Sequence, residues 1–369
     1  MSKLVRFGIV GCGVIAATHA DAIKELVAAD LVACCDIIPE RASCFADRHG
    51  ISKEHAHSSV KSLLADGSVD AVSICTPSGT HAVIASEALW SGRPVIIEKP
   101  MDVNLEAVAL VNAAQKETGL PLAVISQHRF DAASIYARSL AADGHLGALV
   151  ICEAQIKWHR SQEYYDSGDW RGTWELDGGG ALMNQGIHTV DLMRWIMGPV
   201  HSVYAVSRTL GHERIEVEDA ICATISFENG AIGNLVASTA AYPGYPAQLA
   251  IHGSAGSVII SGDALASVDL SNPVPSGKEL ELLLAEGMAG HAVQVAQGGT
   301  RSAESNKAAS ADPTRSTWGD AHRAQIADFI DCIHSGRTPL VDGKAGKEAV
   351  EIILAAYESS RSGKAVNLS

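Results

Sequence analysis

Residues 178–191 read GGGALMNQGIHTVD: three glycines run into a segment carrying Asn184, His188 and Asp191. On a helix, residues four apart share one face, so Asn184 and His188 would project side by side, with Asp191 near them. An imidazole titrates near neutral pH and can accept or deliver a proton. An amide can hydrogen-bond a hydroxyl but cannot take its proton. Gly178, Gly179 and Gly180 would let backbone and a bound cofactor approach closely. The competing reading is a capped core helix with a satisfied histidine.

A second chemical pattern opens the chain. GIVGCGVIA, residues 8–16, is a G-x-G-x-x-A turn between an apolar strand and a helix. Gly11, Cys12, Gly13, Val14 and Ile15 would offer a helix N-terminus to a pyrophosphate, with Ala16 packing the helix on the strand. Asp36 ends the next apolar run, about twenty residues on, where a carboxylate can bind an adenosine ribose. It would repel a 2′-phosphate, and Ile37, Ile38 and Pro39 follow it, with Arg41 the nearest cation. NAD is therefore expected over NADP. A glycine-rich turn without a ligand is the alternative. Glu98, Lys99 and Pro100 end a later strand, and ligands of open α/β sheets gather at strand carboxyl ends. Lys99 thus points to the same crevice, unless it is a plain surface lysine. Arg129, in QHRF (127–130), either contacts substrate or makes an interdomain ion pair. Trp158, His159, Tyr164, Tyr165 and Trp170 suit sugar stacking or core packing equally, as do Tyr242 and Tyr245.

The elements that must position these residues alternate. LVRFGIV (4–10), LVACCD (31–36), VDAVSICTP (69–77), PVIIEKP (94–100) and PLAVISQ are continuously apolar, with helix-like segments between them. That pattern is a parallel sheet covered on both faces, a doubly wound Rossmann domain over 1–127. From 128 onward the strands alternate instead, and FENGAIG reads as a hairpin with an Asn-Gly turn. We expect an α+β domain over 128–369 with a large, mostly antiparallel open sheet. Residues 271–318, rich in Ser, Gly and Ala, read as a loop-rich insertion, and the C-terminal helices within 320–360 are placed back on the first domain.

Composition narrows the function. The chain has 369 residues, 47% hydrophobic, and a formal net charge of −14. No basic stripe favours nucleic acid. The eight cysteines show no C-x-x-C pair and read as reduced structural thiols. There is no H-E-x-x-H, and no metal site is read; His55 and His57 sit in a polar stretch expected to be exposed. No apolar run reaches the roughly 18 residues of a membrane span, and the N-terminus enters a strand at once. A cytoplasmic, soluble protein is expected.

Together GIVGCGVIA, CDIIPERA, CTPSGTH, EKP, GGGALMNQGIHTVDLMRW and SGRTPLVDG…GK, in this order, resemble the Gfo/Idh/MocA oxidoreductases, the glucose–fructose oxidoreductase and inositol dehydrogenase group. The resemblance covers nearly the whole chain. It implies an NAD(P)-dependent dehydrogenase acting on a secondary hydroxyl or ketone of a sugar, cyclitol or nucleotide-sugar. It places Lys99 beside the reacting carbon, with Pro100 often cis, and Thr76, Pro77 and His81 along the cofactor crevice with Glu98. It sets Trp170 and Arg171 near nicotinamide or substrate, and implies a homodimer or homotetramer through the C-terminal sheet. The family usually has an aspartate where this chain has Asn184, so proton transfer falls to Lys99 or His188 and Asn184 orients substrate. A redox-neutral NAD-dependent glycosidase or lyase and a non-catalytic NAD-binding sensor are the rival readings.

Overall fold

The structure is a computed structural model that describes residues 4–272 and 316–368. The chain forms two compact units. The first gathers Met1–Gln127, Glu175–Gly178 and Pro313–Val350, the second His128–Trp174, Gly179–Asp312 and Glu351–Ser369. The expected insertion at 271–318 falls, apart from its ends, outside the described residues. Among the described residues no helix is long and apolar enough to cross a membrane.

The first unit holds a six-stranded sheet: β1 Val5–Val10, β2 Ala29–Cys35, β3 Ala56–His57, β4 Ala71–Ile74, β5 Val95–Ile97 and β6 Leu122–Val124. Its order is β3-β2-β1-β4-β5-β6, with every neighbouring pair parallel. The connections run outward in both directions from β1 and β4, so the loops after these two strands diverge and leave a crevice at their carboxyl ends. Helices α1 Val14–Lys24, α2 Pro39–His49, α3 Val60–Leu64, α4 His81–Trp90 and α5 Leu105–Thr118 alternate with the strands. Continuous apolarity follows from burial on both faces: Phe7, Ile9, Ile74, Ile96 and Ile97 are sealed from solvent. The helix Ser316–Ser335 belongs to this unit, and its Phe329 meets Phe7 at a ring-centroid distance of 6.3 Å. The sequence reading found five strands here and missed β3. That strand is two residues long and carries His57, so it shows no apolar run. The expected exposure of His55 and His57 is also corrected: both rings reach Asp66 Oδ2, at 2.6 and 3.0 Å, and are partly buried.

The second unit is built on eight strands: β7 Leu149–Lys157, β8 Val200–Arg208, β9 Ala220–Phe227, β10 Ile232–Ser238, β11 Gln248–Gly253, β12 Gly256–Ser261, β13 Ala264–Leu270 and β14 Val366–Asn367. The order is β13-β12-β11-β7-β10-β9-β8-β14. All pairs are antiparallel except β7 with β10. Inward positions such as Ala154, Ala223, Ile225 and Leu235 alternate with outward ones, as a sheet covered on one face requires. The helices α6 Ala132–Ala142, α7 Gln162–Asp166 and α8 Ile187–Met197 belong to this unit, as does the part of the helix Gly343–Ser362 from Glu351 onward, and α6 and α8 pack on the sheet. The sequence implied one α-helix through Asn184 and His188. Instead, a π-helical turn, Ala181–Gly186, leads into α8. Such turns hold an extra residue and recur at functional sites.

Candidate functional site

In the first unit β1 delivers the chain to Gly11, whose φ is +89° and where an added Cβ would lie 2.7 Å from the Cys75 carbonyl oxygen. Both observations exclude a side chain. Gly13 is different. It is the N-cap of α1, makes no side-chain cap, and a Cβ built on it meets nothing within 4 Å. The first turn of α1 carries no acidic residue. Its N–H groups and positive pole therefore face open space, the cradle a pyrophosphate needs. Asp36 is buried and accepts Cys12 N–H at 3.0 Å and Ile38 N–H at 2.9 Å, one on each oxygen. The lone pairs left over suit the vicinal hydroxyls of a ribose. These groups fit NAD.

Across the switch point, β4 leads to Thr76 and Pro77, both half-buried. His81 does not line the crevice as expected. Its ring is buried, with Nδ1 2.7 Å from the Pro100 carbonyl oxygen and Nε2 2.8 Å from that of Thr76. It braces the two loops that carry Thr76 and Lys99. Lys99 is half-buried, and its peptide bond to Pro100 is cis. Glu98 also proves to be internal. Its Oε2 accepts Lys99 N–H at 3.0 Å, and its Oε1 lies 3.0 Å from His19 Nε2 and 3.6 Å from His322 Nε2. His19 Nδ1 in turn reaches Ser73 Oγ at 2.8 Å. Burial would raise Glu98, but the hydrogen bonds from the two imidazoles hold it well below the usual carboxylate range. Glu98 is thus a buried anion that fixes the backbone of Lys99. His19, Ser73 and His322 escaped the sequence reading because they come from three distant segments.

The second unit answers the question posed by GGGALMNQGIHTVD. From 181 to 193 every residue is buried except Asn184 and His188. The glycines serve packing rather than a cofactor. A Cβ on Gly180 would sit 1.8 Å from the Glu218 carbonyl oxygen, and one on Gly179 2.2 Å from the Tyr357 hydroxyl. Glu218 accepts Gly180 N–H at 2.9 Å, Leu182 N–H at 2.8 Å and the Tyr357 hydroxyl at 3.0 Å. Burial pushes Glu218 up to about 7, against these donors. Asp191 is buried and receives the fork of Arg129 at 2.7 and 2.6 Å. Both belong to the second unit, so this ion pair lies within one unit and not between the two. Beside it, His128 lies edge-on to His188 with ring centroids 5.1 Å apart. Its Nδ1 is 2.6 Å from Asp131 and 3.3 Å from Asp263. Burial would lower His128, but the three carboxylates of Asp131, Asp263 and Asp191 raise it. Arg171 stacks on Trp170 and Tyr164, 4.5 and 4.3 Å from their ring centres. Of the missed residues, only His128 adjoined a residue already singled out.

Two outcomes follow from this geometry. Gly13→Ala should leave the melting temperature unchanged and strongly weaken NADH binding by fluorescence titration, because its added Cβ would enter the cradle while meeting no protein atom within 4 Å. Undiminished affinity would disprove the cradle. For Glu218, a folded-state pKa of about 7 lies above the ordinary 4.5. The native chain then holds a proton that the unfolded chain releases. Stability from this group is complete below pH 4.5 and is lost as pH rises to 7, by about 3 kcal/mol. Glu218→Gln should flatten that part of the melting temperature's pH dependence; identical slopes in both proteins would reject it.

Comparison with known proteins agrees with this architecture. Residues 5–126 match the model of the oxidoreductase family with an NAD-binding Rossmann fold, and residues 135–259 match the GFO/IDH/MocA C-terminal domain. A WlbA dehydrogenase from Bordetella pertussis, solved with NADH and UDP-GlcNAcA, is 31% identical, with a TM-score of 0.87 over 100% of this chain and 98% of that one. The scyllo-inositol 2-dehydrogenase (NAD(+)) of Bacillus subtilis is 26% identical over 100% of this chain and 97% of its own length. A myo-inositol 2-dehydrogenase from Thermotoga maritima is 24% identical over 99% and 98%. With both of its domains matched and a full-length relative above thirty per cent identity, the chain belongs to the Gfo/Idh/MocA family of NAD-binding oxidoreductases.

Proposed function

We propose that this protein oxidises a secondary hydroxyl of a sugar, cyclitol or nucleotide-sugar, or reduces the matching ketone, with His188 as acid–base and Lys99 as the cation on the reacting oxygen. One observation carries the reading: Asn184 and His188 alone reach solvent from a segment that is otherwise sealed. When bound, NAD supplies the hydride acceptor; Gly11, Cys12, Gly13, Val14, Ile15 and Asp36 are the residues to hold it, with Thr76 and Pro77 from the facing loop. The protein must then handle the hydroxyl proton. His188 accepts it. His128, drawn toward its charged form by its carboxylate neighbours, packs edge-on against the His188 ring. Asn184 can hydrogen-bond the hydroxyl but cannot compete for the proton. The Lys99 ammonium stabilises negative charge developing on the oxygen. The relatives named for inositol dehydrogenation, and the neighbour holding UDP-GlcNAcA, support a polyhydroxylated substrate.

We further propose that the outward face of the eight-stranded sheet mediates self-association. Tyr204 and Val206 of β8 and Ile232 of β10 stand exposed on it.

Following NADH absorbance over a panel of inositols, hexoses and UDP-sugars tests the reaction. Lys99→Ala and His188→Ala should each lower kcat by about 10²- to 10⁴-fold with NADH binding intact, and His188→Ala should flatten the acidic limb of the pH profile. Unaltered turnover in both variants would end this reading, and product without net NADH would redirect it to a redox-neutral reaction. Light scattering should find wild-type protein oligomeric and Val206→Glu shifted toward monomer. A monomeric wild type would dismiss the sheet-face proposal.

A further inference from the structure

Most arginines whose guanidinium is hydrogen-bonded here meet a carboxylate. Arg6 pairs with Asp70, Arg129 with Asp191, Arg214 with Asp166, Arg323 with Glu25, Arg337 with Asp328 and Arg361 with Glu358. Acidic residues are in excess, 42 against 28 Lys and Arg. Arg160 and Arg171 nevertheless have no carboxylate partner among the described residues.

Arg160 follows β7, and its backbone is fixed on both sides. Its N–H donates to the Thr239 carbonyl at 2.8 Å, and its carbonyl lies 2.8 Å from His212 Nε2. The side chain is 7% exposed. It lies over the rings of Trp158 and Tyr164, at 5.2 and 5.3 Å, and donates from one terminal nitrogen to Gln185 Oε1 at 2.8 Å. Its Nε is buried without an acceptor. Arg171 shares the same tyrosine: its guanidinium stacks on the Tyr164 ring and donates to the Tyr164 hydroxyl at 2.7 Å. Two guanidiniums thus sit on one phenol, and among the described residues neutral oxygens and ring faces are what they meet. Burying a charge without a counter-charge is costly, and setting two like charges together adds to the cost. The cost is offset when an anion binds, and the planar fork of arginine matches carboxylate and phosphate oxygens.

We propose that Arg160 and Arg171 form an oxyanion subsite that selects an acidic carbohydrate as substrate. The proposal rests on the reaction proposed above and adds the class of its substrate. Gln185 links the subsite to the reacting end. It binds Arg160 through its oxygen and the Tyr164 hydroxyl through its Nε2, at 3.0 Å, and it follows Asn184 in the π-turn. Trp158, Tyr164 and Trp170, all partly open, supply ring faces beside the charge. The anion is a carboxylate on the sugar or the diphosphate of a nucleotide-sugar.

The test titrates NADH-loaded protein calorimetrically with three probes: glucuronate, UDP and glucose. Wild type should bind glucuronate or UDP, with affinity falling as salt rises. Arg171→Met should weaken that probe about 10- to 100-fold, and Arg171→Lys should restore only part of it. Glucose binding, NADH affinity and melting temperature should not change. Arg171 is half-buried, so its variants remain informative if Arg160→Met fails to fold. The probe that loses affinity identifies the anion's source. Equal affinity in wild type and Arg171→Met, or no binding of either anion at millimolar concentration, would overturn the subsite. Arginine-dependent binding without NADH production on any substrate would instead retain the subsite and remove the dehydrogenase reading. Turnover of neutral polyols at rates indifferent to Arg171 would do the opposite.

Discussion

A carboxylate withdrawn from water needs donors to replace its hydration. Five buried carboxylates here find those donors in loop backbones. Asp36 takes the N–H groups of Cys12 and Ile38, Glu98 that of Lys99, and Asp102 those of Ala82 and Val103. Glu218 takes those of Gly180 and Leu182, and Asp219 those of Leu210, Gly211 and His212. Loops normally stay at the surface because their polar groups lack partners inside. A carboxyl group accepting one or more backbone N–H bonds removes that obstacle and fixes the loop. The phosphate turn, the Lys99 loop and the entrance to the π-turn are each held this way. Positional precision at the site therefore depends on buried carboxyl groups rather than on apolar contact alone.

Much of the first unit was legible because its signals are local. Apolar runs give buried strands, and the turn after β1 needs glycine where φ is +89°. The cap of α5 by Asn104, accepting Ala107 N–H at 2.8 Å, and its closure at left-handed Gly119 also follow from residue type and position. The second sheet was readable from alternation, though not its single parallel pair, since β7 and β10 are joined through many intervening residues. What escaped depends on pairing across the chain. Nothing near Arg129 announces Asp191, and nothing in the glycine triplet announces Glu218 and Tyr357. Spacing alone gave the glycines a ligand-facing role, whereas the structure packs Gly178 on Val103, Gly179 on the Tyr357 hydroxyl and Gly180 on the Glu218 backbone. The π-turn was invisible for a related reason: a local pattern fixes the helix, not the one-residue slip that tertiary hydrogen bonds impose at its start.

The pattern of charge in the second unit bears on how the chemistry is divided. Asp191 could have supplied an anion beside His188, but Arg129 neutralises it with two short bonds. His128 is drawn toward its charged form by Asp131 and Asp263. The neighbouring π-turn offers Asn184, an amide, rather than a carboxylate. The Arg129–Asp191 pair is neutral as a unit, and its carboxylate neighbours draw His128, edge-on to the His188 ring, toward its charged form. An Asp–His pair would raise the basicity of the ring and hold the proton it accepts. In the role proposed for it above, His188 would work beside a second imidazole instead of a carboxylate. A group of that kind serves alcohol oxidation and ketone reduction alike, and the direction is then set by the substrate and by the balance of oxidised and reduced cofactor.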